Sequence, residues 1–190
     1  MLFRSQLQAS KHHDINASGQ FTRQGGPTPS YHWGMTAFAY TIYLQTTPKK
    51  LWRALTEPAK TKRWWNVSYR TDWVTGSTYS IKQSGVTITD PEQVVLAAEP
   101  MKRLSYTWHT FTPEWAKIHG FSAEFLEKVT SEPRSKVTFD IEPLDSVVKL
   151  TVTHEGFAAK STVLKSIREG WPPLLSSLKT LLETGEPLPL

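Results

Sequence analysis

Residues 168–185 read REGWPPLLSSLKTLLETG, and this stretch decides how the whole chain is interpreted. Together with 161–167 it carries apolar side chains at alternating spacings of three and four, which is typical of a helix with one buried face. The run GWPP at 170–173 interrupts that pattern, because one proline inside a helix costs about 3 kcal/mol. We predict a long C-terminal helix over 161–183 that bends or restarts at Gly170-Trp171 and ends at Gly185, a residue suited to a left-handed cap.

A bend at Gly170-Trp171 has a consequence for the interior. One half of a bent helix can follow a curved sheet while the other half stands off it, which leaves a cavity between the two. Ligand sites tend to be concave and apolar, so the bend favours a binding cavity with Trp171 at its mouth. The alternative is that the bend only fits a strongly twisted sheet and that the interior is filled.

Alternating apolar residues predict the sheet that this helix covers. Phe38, Tyr40, Ile42 and Leu44 share one face of a first strand. Segment 47–65 then carries N-cap and proline signals for two short helices. Further strands are predicted over 67–73, 78–83, 86–89, 93–99, 103–110, 136–142 and 147–157, with helical pieces in an insertion over 112–134. The fold class is therefore α+β: a curved antiparallel sheet of about six or seven strands wrapped on a long, kinked C-terminal helix, with two short helices after the first strand.

Bulk composition excludes several classes of function. The formal net charge is +5, and no run of five or six Lys or Arg residues forms a nucleic-acid footprint. No segment approaches the roughly 20 apolar residues that a membrane-spanning helix needs, so membrane insertion is not expected. The chain has no Cys, which excludes disulfides and thiolate chemistry. We expect a soluble cytoplasmic protein.

Residues 1–34 differ from the rest of the chain. They are rich in Gln, Ser, Gly and Pro and have no sustained period of 2 or 3.6. We interpret them as a flexible or loosely docked N-terminal extension, followed by one domain over 35–190. The pair His12-His13 lacks a third ligand at a recognisable spacing, so no metal site is expected. No glycine-rich phosphate loop occurs either, so no cofactor is expected.

Several separated motifs together resemble a known family. They are YTIYLQTTPKKLWRALTEP at 40–58, KRWW at 62–65, LSYTW at 104–108, VVKLTVTH at 147–154, and GWP at 170–172 followed by LKTLLETG at 178–185. Their order resembles the helix-grip fold of the START-like (SRPBCC) superfamily, and within it the domains similar to the activator of heat-shock protein 90 ATPase. The resemblance covers about residues 35–190. It implies an internal cavity in a fold whose members bind lipids or other apolar ligands, act as cyclases, or assist a chaperone.

The candidate ligand-binding residues are those expected on the apolar face near the cavity. Trp65, Trp108 and Trp171 can form an aromatic wall for a planar or apolar ligand, and ordinary core packing is the alternative. The full predicted set is Trp65, Tyr106, Trp108, Phe139, Leu150, His154, Trp171 and Leu175.

Two histidines differ in their expected position. His154 falls on the apolar face of its strand, where a buried imidazole with a shifted pKa can transfer protons, which makes it a weak candidate for catalysis. The alternative is a hydrogen-bonded histidine of the core. His109 has the opposite strand phase from Tyr106 and Trp108, so we expect it to face solvent.

These observations predict binding of a small apolar or aromatic molecule in a cavity between the sheet and the C-terminal helix. Two alternatives stay open. An enzyme of cyclase or hydrolase type would use the same cavity, but it needs at least two converging polar groups and the sequence offers His154 as its one good candidate. A chaperone-interacting or stress-response protein needs an exposed apolar or charged patch. We expect a monomer or a homodimer.

Overall fold

The computed structural model describes residues 36–189, so the predicted extension over 1–34 lies outside the described residues. Within 36–189 the chain forms one seven-stranded sheet and five helices. In chain order the elements are β1 (Thr36–Leu44), α1 (Pro48–Thr56), α2 (Pro58–Trp65), β2 (Val67–Arg70), β3 (Thr78–Gln83), β4 (Val86–Glu99), β5 (Arg103–Thr107), α3 (Pro113–Ile118), α4 (Ala123–Thr130), β6 (Lys136–Pro143), β7 (Val148–Phe157) and α5 (Thr162–Thr184).

The sheet is antiparallel throughout, with strand order β1-β7-β6-β5-β4-β3-β2. Helices α1 and α2 carry the chain from β1 at one edge to β2 at the other. Leu104, Phe139 and Val152 lie side by side across β5, β6 and β7, and all three are buried. The opposite face is polar: the hydroxyls of Thr41 and Thr151 lie 3.1 Å apart across β1 and β7. The predicted α+β class and helix-grip architecture are confirmed.

The short helices begin as their sequence predicts. The hydroxyl of Thr47 accepts from the backbone N–H of Lys50 at 3.3 Å, and Pro48 occupies the first turn of α1, where its missing N–H costs nothing. The indole N–H of Trp64 donates to the carbonyl of Ala54 at 2.9 Å, which holds α2 against α1.

Strand β4 corrects one prediction. Segments 86–89 and 93–99 form a single strand, not two, and Pro91 lies inside it. Thr89 pairs with Ser80, whereas Val94 pairs with Thr78, so residues 90–93 lie outside the regular ladder. A proline is tolerated at such an irregularity because it has no N–H to contribute to the ladder. The buried side chain of Gln93 replaces a missing backbone bond by donating to the carbonyl of Tyr79 at 3.0 Å.

Helix α5 runs without interruption through the two prolines. Ser161 caps it by accepting from the N–H of Leu164 at 2.8 Å, and Gly185 ends it with φ of 93°. The prolines leave the carbonyls of Arg168 and Glu169 without intrahelical donors, but both residues are exposed, so water can hydrogen-bond to them. The predicted restart is therefore excluded, and the predicted bend stays a prediction.

Both ends of α5 are tied to other elements. Near its start, the carboxylate of Glu132 accepts from the backbone N–H groups of Thr162 and Val163 at 2.6 and 3.3 Å. Near its end, the ammonium of Lys179 donates to the carbonyl of Tyr43 at 2.7 Å, and Glu183 accepts from the N–H of Gln45 at 2.7 Å. The helix is thus fixed over the apolar face of the sheet.

Candidate functional site

A cavity of about 290 Å³ lies beside the N-terminal half of α5. Strands β2, β3 and β5 form one side, and helices α3 and α4 contribute the rim. The lining residues are Trp65 from α2; Val67 and Tyr69 from β2; Tyr79, Ile81 and Gln83 from β3; Tyr106 from β5; Trp108, His109 and Phe111 from the segment after β5; Trp115, His119, Phe121, Phe125 and Val129 from α3, α4 and their connection; and Val163, Ser166, Ile167, Gly170, Trp171 and Leu174 from α5.

The space next to α5 comes from a glycine. Gly170 lies in the middle of the helical stripe that lines the cavity, between Ile167 before it and Leu174 one turn after it. A Cβ added at Gly170 would meet no atom of residues 36–189 within 4 Å. The feature of GWPP that leaves room is therefore the absent side chain, whereas the prolines fall at half-buried and exposed positions.

Three tyrosines form the wall on the sheet side. The hydroxyls of Tyr69 and Tyr106 lie 2.9 Å apart and share one hydrogen bond, and the hydroxyl of Tyr79 donates to the carbonyl of Thr107 at 2.5 Å. Burial is the main cause that raises the pKa of all three, so they are neutral near pH 7. Their rings meet at tilted angles with centroids 5.4 to 5.7 Å apart, a usual geometry for packed aromatic side chains.

Tryptophans form the wall between α2 and α5. The Trp65 ring lies 5.2 Å from that of Trp171 and 6.0 Å from that of Trp108, measured between centroids. Trp171 is buried and its indole N–H donates to His154. Trp65 and Trp108 also line the cavity, and their indole N–H groups have no hydrogen-bond partner among residues 36–189.

His154 is held by hydrogen bonds on both ring nitrogens. Nδ1 accepts from the indole N–H of Trp171 at 3.2 Å, so the ring hydrogen is on Nε2, which donates to the hydroxyl of Ser135 at 2.9 Å. Burial, with a smaller effect from His109, lowers the pKa of His154 to about 3. The ring does not border the cavity. Of the two sequence interpretations, the hydrogen-bonded core histidine describes this arrangement.

His109 corrects another prediction, because it borders the cavity instead of facing solvent. Strand β5 ends at Thr107, two residues earlier than needed for the strand phase to extend to His109. Its Nδ1 lies 2.9 Å from the carbonyl oxygen of Thr110. Burial lowers the pKa of His109 to about 4, although the Thr110 carbonyl acts in the opposite direction. The imidazole is therefore neutral near pH 7.

The segment that carries His109 is irregular but fixed by side chains. Arg134 donates to the carbonyl of Trp108 at 2.8 Å and to the hydroxyl of Thr110 at 3.0 Å. Gln93 accepts from the N–H of Thr110 at 3.0 Å, and Asp90 accepts from its hydroxyl at 2.7 Å. The residues on both sides of His109 are thus held by partners distant in sequence.

The predicted site residues divide into two groups. Trp65, Tyr106, Trp108 and Trp171 line the cavity, whereas the other four lie in the packed core and do not line it: Phe139, Leu150, His154 and Leu175. Strand phase identifies the apolar face of the sheet, but it does not say which part of that face the helix covers. Sequence reasoning also missed the roles of Tyr69, Tyr79 and Gly170; the glycine inside an apolar helical stripe was the signal that could have indicated open space.

Other kinds of site are not found in the part of the chain that the structure describes. Residues 36–189 contain no group of three or more His, Asp or Glu side chains arranged to hold a metal ion. In the same range, no helix is both long enough and apolar enough to cross a membrane.

Comparison with known families extends this description. Residues 45–183 match the family described as activator of Hsp90 ATPase homolog 1-like protein. The chain belongs to this family. The match includes every residue that lines the cavity, and the resemblance inferred from the separated motifs is confirmed. A comparison with curated proteins finds no match.

Solved structures share the fold. A protein from Mesorhizobium loti is 28% identical, and the alignment covers 77% of this chain and 96% of that chain with a TM-score of 0.59. The Aha1 dimer from Colwellia psychrerythraea is 21% identical over 79% of this chain and 98% of that chain, with a TM-score of 0.58. CalU16 from Micromonospora echinospora is 18% identical over 80% of this chain and 77% of that chain, with a TM-score of 0.57.

Proposed function

We propose that this member of the family binds a small, neutral, apolar or aromatic molecule in the cavity between the sheet and α5. The observation that carries the proposal is the cavity itself, which is walled by tyrosine and tryptophan rings and kept open at Gly170. Its volume of about 290 Å³ is just below the usual range for ligand pockets, which starts at about 300 Å³. A ligand of one or two fused rings fits that size.

The lining argues for a neutral ligand. Within residues 36–189, no Lys, Arg, Asp or Glu side chain lines this cavity. A charge moved from water into such surroundings has no partner and costs several kcal/mol, so charged molecules are disfavoured. The aromatic walls offer apolar contact area and ring faces instead.

Binding is favoured over catalysis because of the state of His154. The ring is fully buried, is bonded to Ser135 and Trp171, and does not border the cavity, so it does not reach a ligand there. His109 and the tyrosine hydroxyls remain as polar contacts, which suits recognition of a ligand.

The test uses benzothiophene, a neutral two-ring probe, and a variant that fills the cavity. In the parent protein we expect the melting temperature to rise with benzothiophene concentration, because a ligand that binds the folded state stabilises it. In Gly170→Leu we expect that rise to disappear, since the new side chain occupies the open space. Ser176→Leu places the same side chain on the exposed face of α5 and should respond like the parent.

Two outcomes would contradict the proposal. One is a parent melting temperature that does not change with benzothiophene. The other is Gly170→Leu binding the probe as tightly as Ser176→Leu in isothermal titration, because the ligand would then occupy a different place.

A further inference from the structure

We infer that the ligand of this cavity carries a hydrogen-bond donor, a phenolic hydroxyl or an aromatic N–H, and that this donor binds Nε2 of His109. The inference rests on the proposed function, because it specifies the chemistry of the molecule in the same cavity. It makes His109 the residue that selects among neutral aromatic molecules of similar size.

The hydrogen position on His109 follows from its backbone contact. Nδ1 lies 2.9 Å from the carbonyl oxygen of Thr110, and a carbonyl oxygen can only accept. The hydrogen of the neutral ring is therefore on Nδ1, which leaves Nε2 with a lone pair as a pure acceptor. The ring cannot turn over without losing the Thr110 contact and placing a hydrogen elsewhere.

Nε2 of His109 is available to a ligand. It has no hydrogen-bond partner among residues 36–189. The buried side-chain atoms without a partner in that range are Oγ1 of Thr46 and Oγ of Ser177, so Nε2 is not sealed inside the protein. The ring lies against Trp108 and Phe111, with centroid distances of 5.1 and 4.9 Å, and borders both this cavity and a second one that Glu92 and Arg134 help to line. An unpaired acceptor of this kind favours a ligand that supplies a donor.

Two other polar groups of the same cavity are engaged, whereas the ring of His119, which also lines it, has no hydrogen bond among residues 36–189. The side-chain oxygen of Gln83 accepts from the indole N–H of Trp115 at 3.3 Å, and the Tyr79 hydroxyl donates to a backbone carbonyl. Trp65 and Trp108 offer donors, so they complement acceptors on a ligand but not its donors. Of the two imidazoles that line the cavity, His109 is thus the one whose ring a backbone carbonyl orients, which leaves Nε2 as an acceptor.

His109 is also held in place before a ligand arrives. Arg134 contacts the residues on both sides of it, and Gln93 and Asp90 fix Thr110, whose carbonyl orients the ring. An acceptor that is already oriented binds a donor with little loss of conformational entropy. The fixed imidazole therefore favours ligands that supply a donor, and it does not rearrange to suit ligands that lack one.

The test compares two probes in two proteins. Indole and benzothiophene have similar size and shape, but indole has an N–H where benzothiophene has a sulfur. We expect His109→Phe to weaken indole binding roughly two- to twelvefold relative to benzothiophene, because one hydrogen bond contributes about 0.5–1.5 kcal/mol. Using the ratio of the two dissociation constants in each protein removes the difference in hydrophobicity between the probes. An unchanged ratio overturns the inference while leaving the proposed function intact.

A second measurement does not depend on the variant. In parent protein with ¹⁵N-labelled histidine, we expect the Nε2 resonance of His109 to shift when indole is added and to stay nearly unchanged with benzothiophene. A resonance that responds equally to both probes, or one showing that Nε2 carries the hydrogen, overturns the inference. Failure of both probes to bind the parent overturns the inference together with the proposed function.

Discussion

Ser135, His154 and Trp171 form a buried chain of hydrogen bonds, and this chain determines which ring nitrogen of His154 carries the hydrogen. The indole N–H can only donate, so it fixes the tautomer of His154, and His154 in turn donates to Ser135. This chain links α5 to β7 and to the residue before β6. Because the imidazole is fully buried and has no acidic partner among residues 36–189, it stays neutral in the folded protein.

The neutral state of His154 makes stability depend on pH. Its pKa is about 3 in the folded protein and about 6.5 in the unfolded chain. Above pH 6.5 both states are neutral, whereas below it the unfolded chain gains a proton that the folded protein does not, until the pH reaches about 3. The free energy of unfolding therefore falls as the pH falls through this window.

Replacing His154 by Gln tests this dependence. Gln can accept from Trp171 and donate to Ser135, but it does not titrate. Between pH 6 and pH 5 we expect the parent to lose about 1 kcal/mol more of its free energy of unfolding than His154→Gln, measured by urea titration. Between pH 7 and pH 8 the two proteins should show the same slope. Equal slopes in the acidic window would contradict the assigned state of His154.

At the scale of an element, α5 has a neighbouring pair of serines that differ in their surroundings. Ser177 is fully buried and its hydroxyl has no partner among the described residues, whereas Ser176 is exposed and its hydroxyl donates to the carbonyl of Pro172 at 2.8 Å. A buried hydroxyl without a partner is destabilising, because it has lost its hydrogen bonds to water. The helix therefore has an internal defect one turn after its prolines.

Ser177→Ala removes that hydroxyl, and alanine also has the higher helix propensity. We expect the free energy of unfolding to increase by about 0.5–1.5 kcal/mol, measured by urea titration at pH 7. Ser176→Ala is the matched control in the same turn, and we expect a change within about 0.5 kcal/mol. A loss of stability in Ser177→Ala would show that the hydroxyl has a partner in solution.

Most elements could be predicted because their signals are local. The caps at Thr47, Ser161 and Gly185 involve residues within a few positions, and strand phase is a property of adjacent residues. Segments 90–93 and 108–110 could not be predicted in the same way. Their shape depends on Gln93 and Arg134, whose partners are far along the chain, and no pattern in neighbouring residues reveals such contacts.

For the whole molecule, the difference between core and cavity follows from strand order. Phe139 and Trp108 both satisfy the sequence criteria for the apolar face, yet Phe139 lies in the packed core and Trp108 borders open space. Strand β6 lies next to β7, which pairs with β1 at the edge where α5 is tied to the sheet, whereas β2 and β3 lie at the far edge. The periodicity of a strand shows which of its residues are buried, but it does not show which strands are its neighbours. The sequence could therefore predict a cavity but not all of the residues that line it.

Helices α3 and α4 form the part of the domain with the fewest ties to the rest. The side-chain hydrogen bond that connects them to the sheet, within the described residues, joins Trp115 to Gln83 at 3.3 Å. Trp115 and Val129 are buried, but Ile118 and Phe121 are each 39% exposed, so α3, α4 and their connection bury only part of their apolar surface. Segments with few buried contacts open at low free energy.

We expect this difference to appear in hydrogen exchange measured by mass spectrometry. Amides of α3 and α4 should exchange well before those of β6 and β7 in the free protein. Saturating benzothiophene should slow exchange in α3 and α4 more than in α1, which does not line the cavity. Equal protection of α4 and β6 in the free protein would contradict this assignment of stability.

The hydrogen atom that stands in for a side chain at position 170 also has an evolutionary consequence. A methyl group at this position fits without a clash with residues 36–189, so we expect substitution by larger residues to narrow the cavity stepwise. We expect homologous proteins with a larger residue at this position to bind smaller ligands. The residue at the position equivalent to 170 would then indicate the size of ligand that each homologous protein binds.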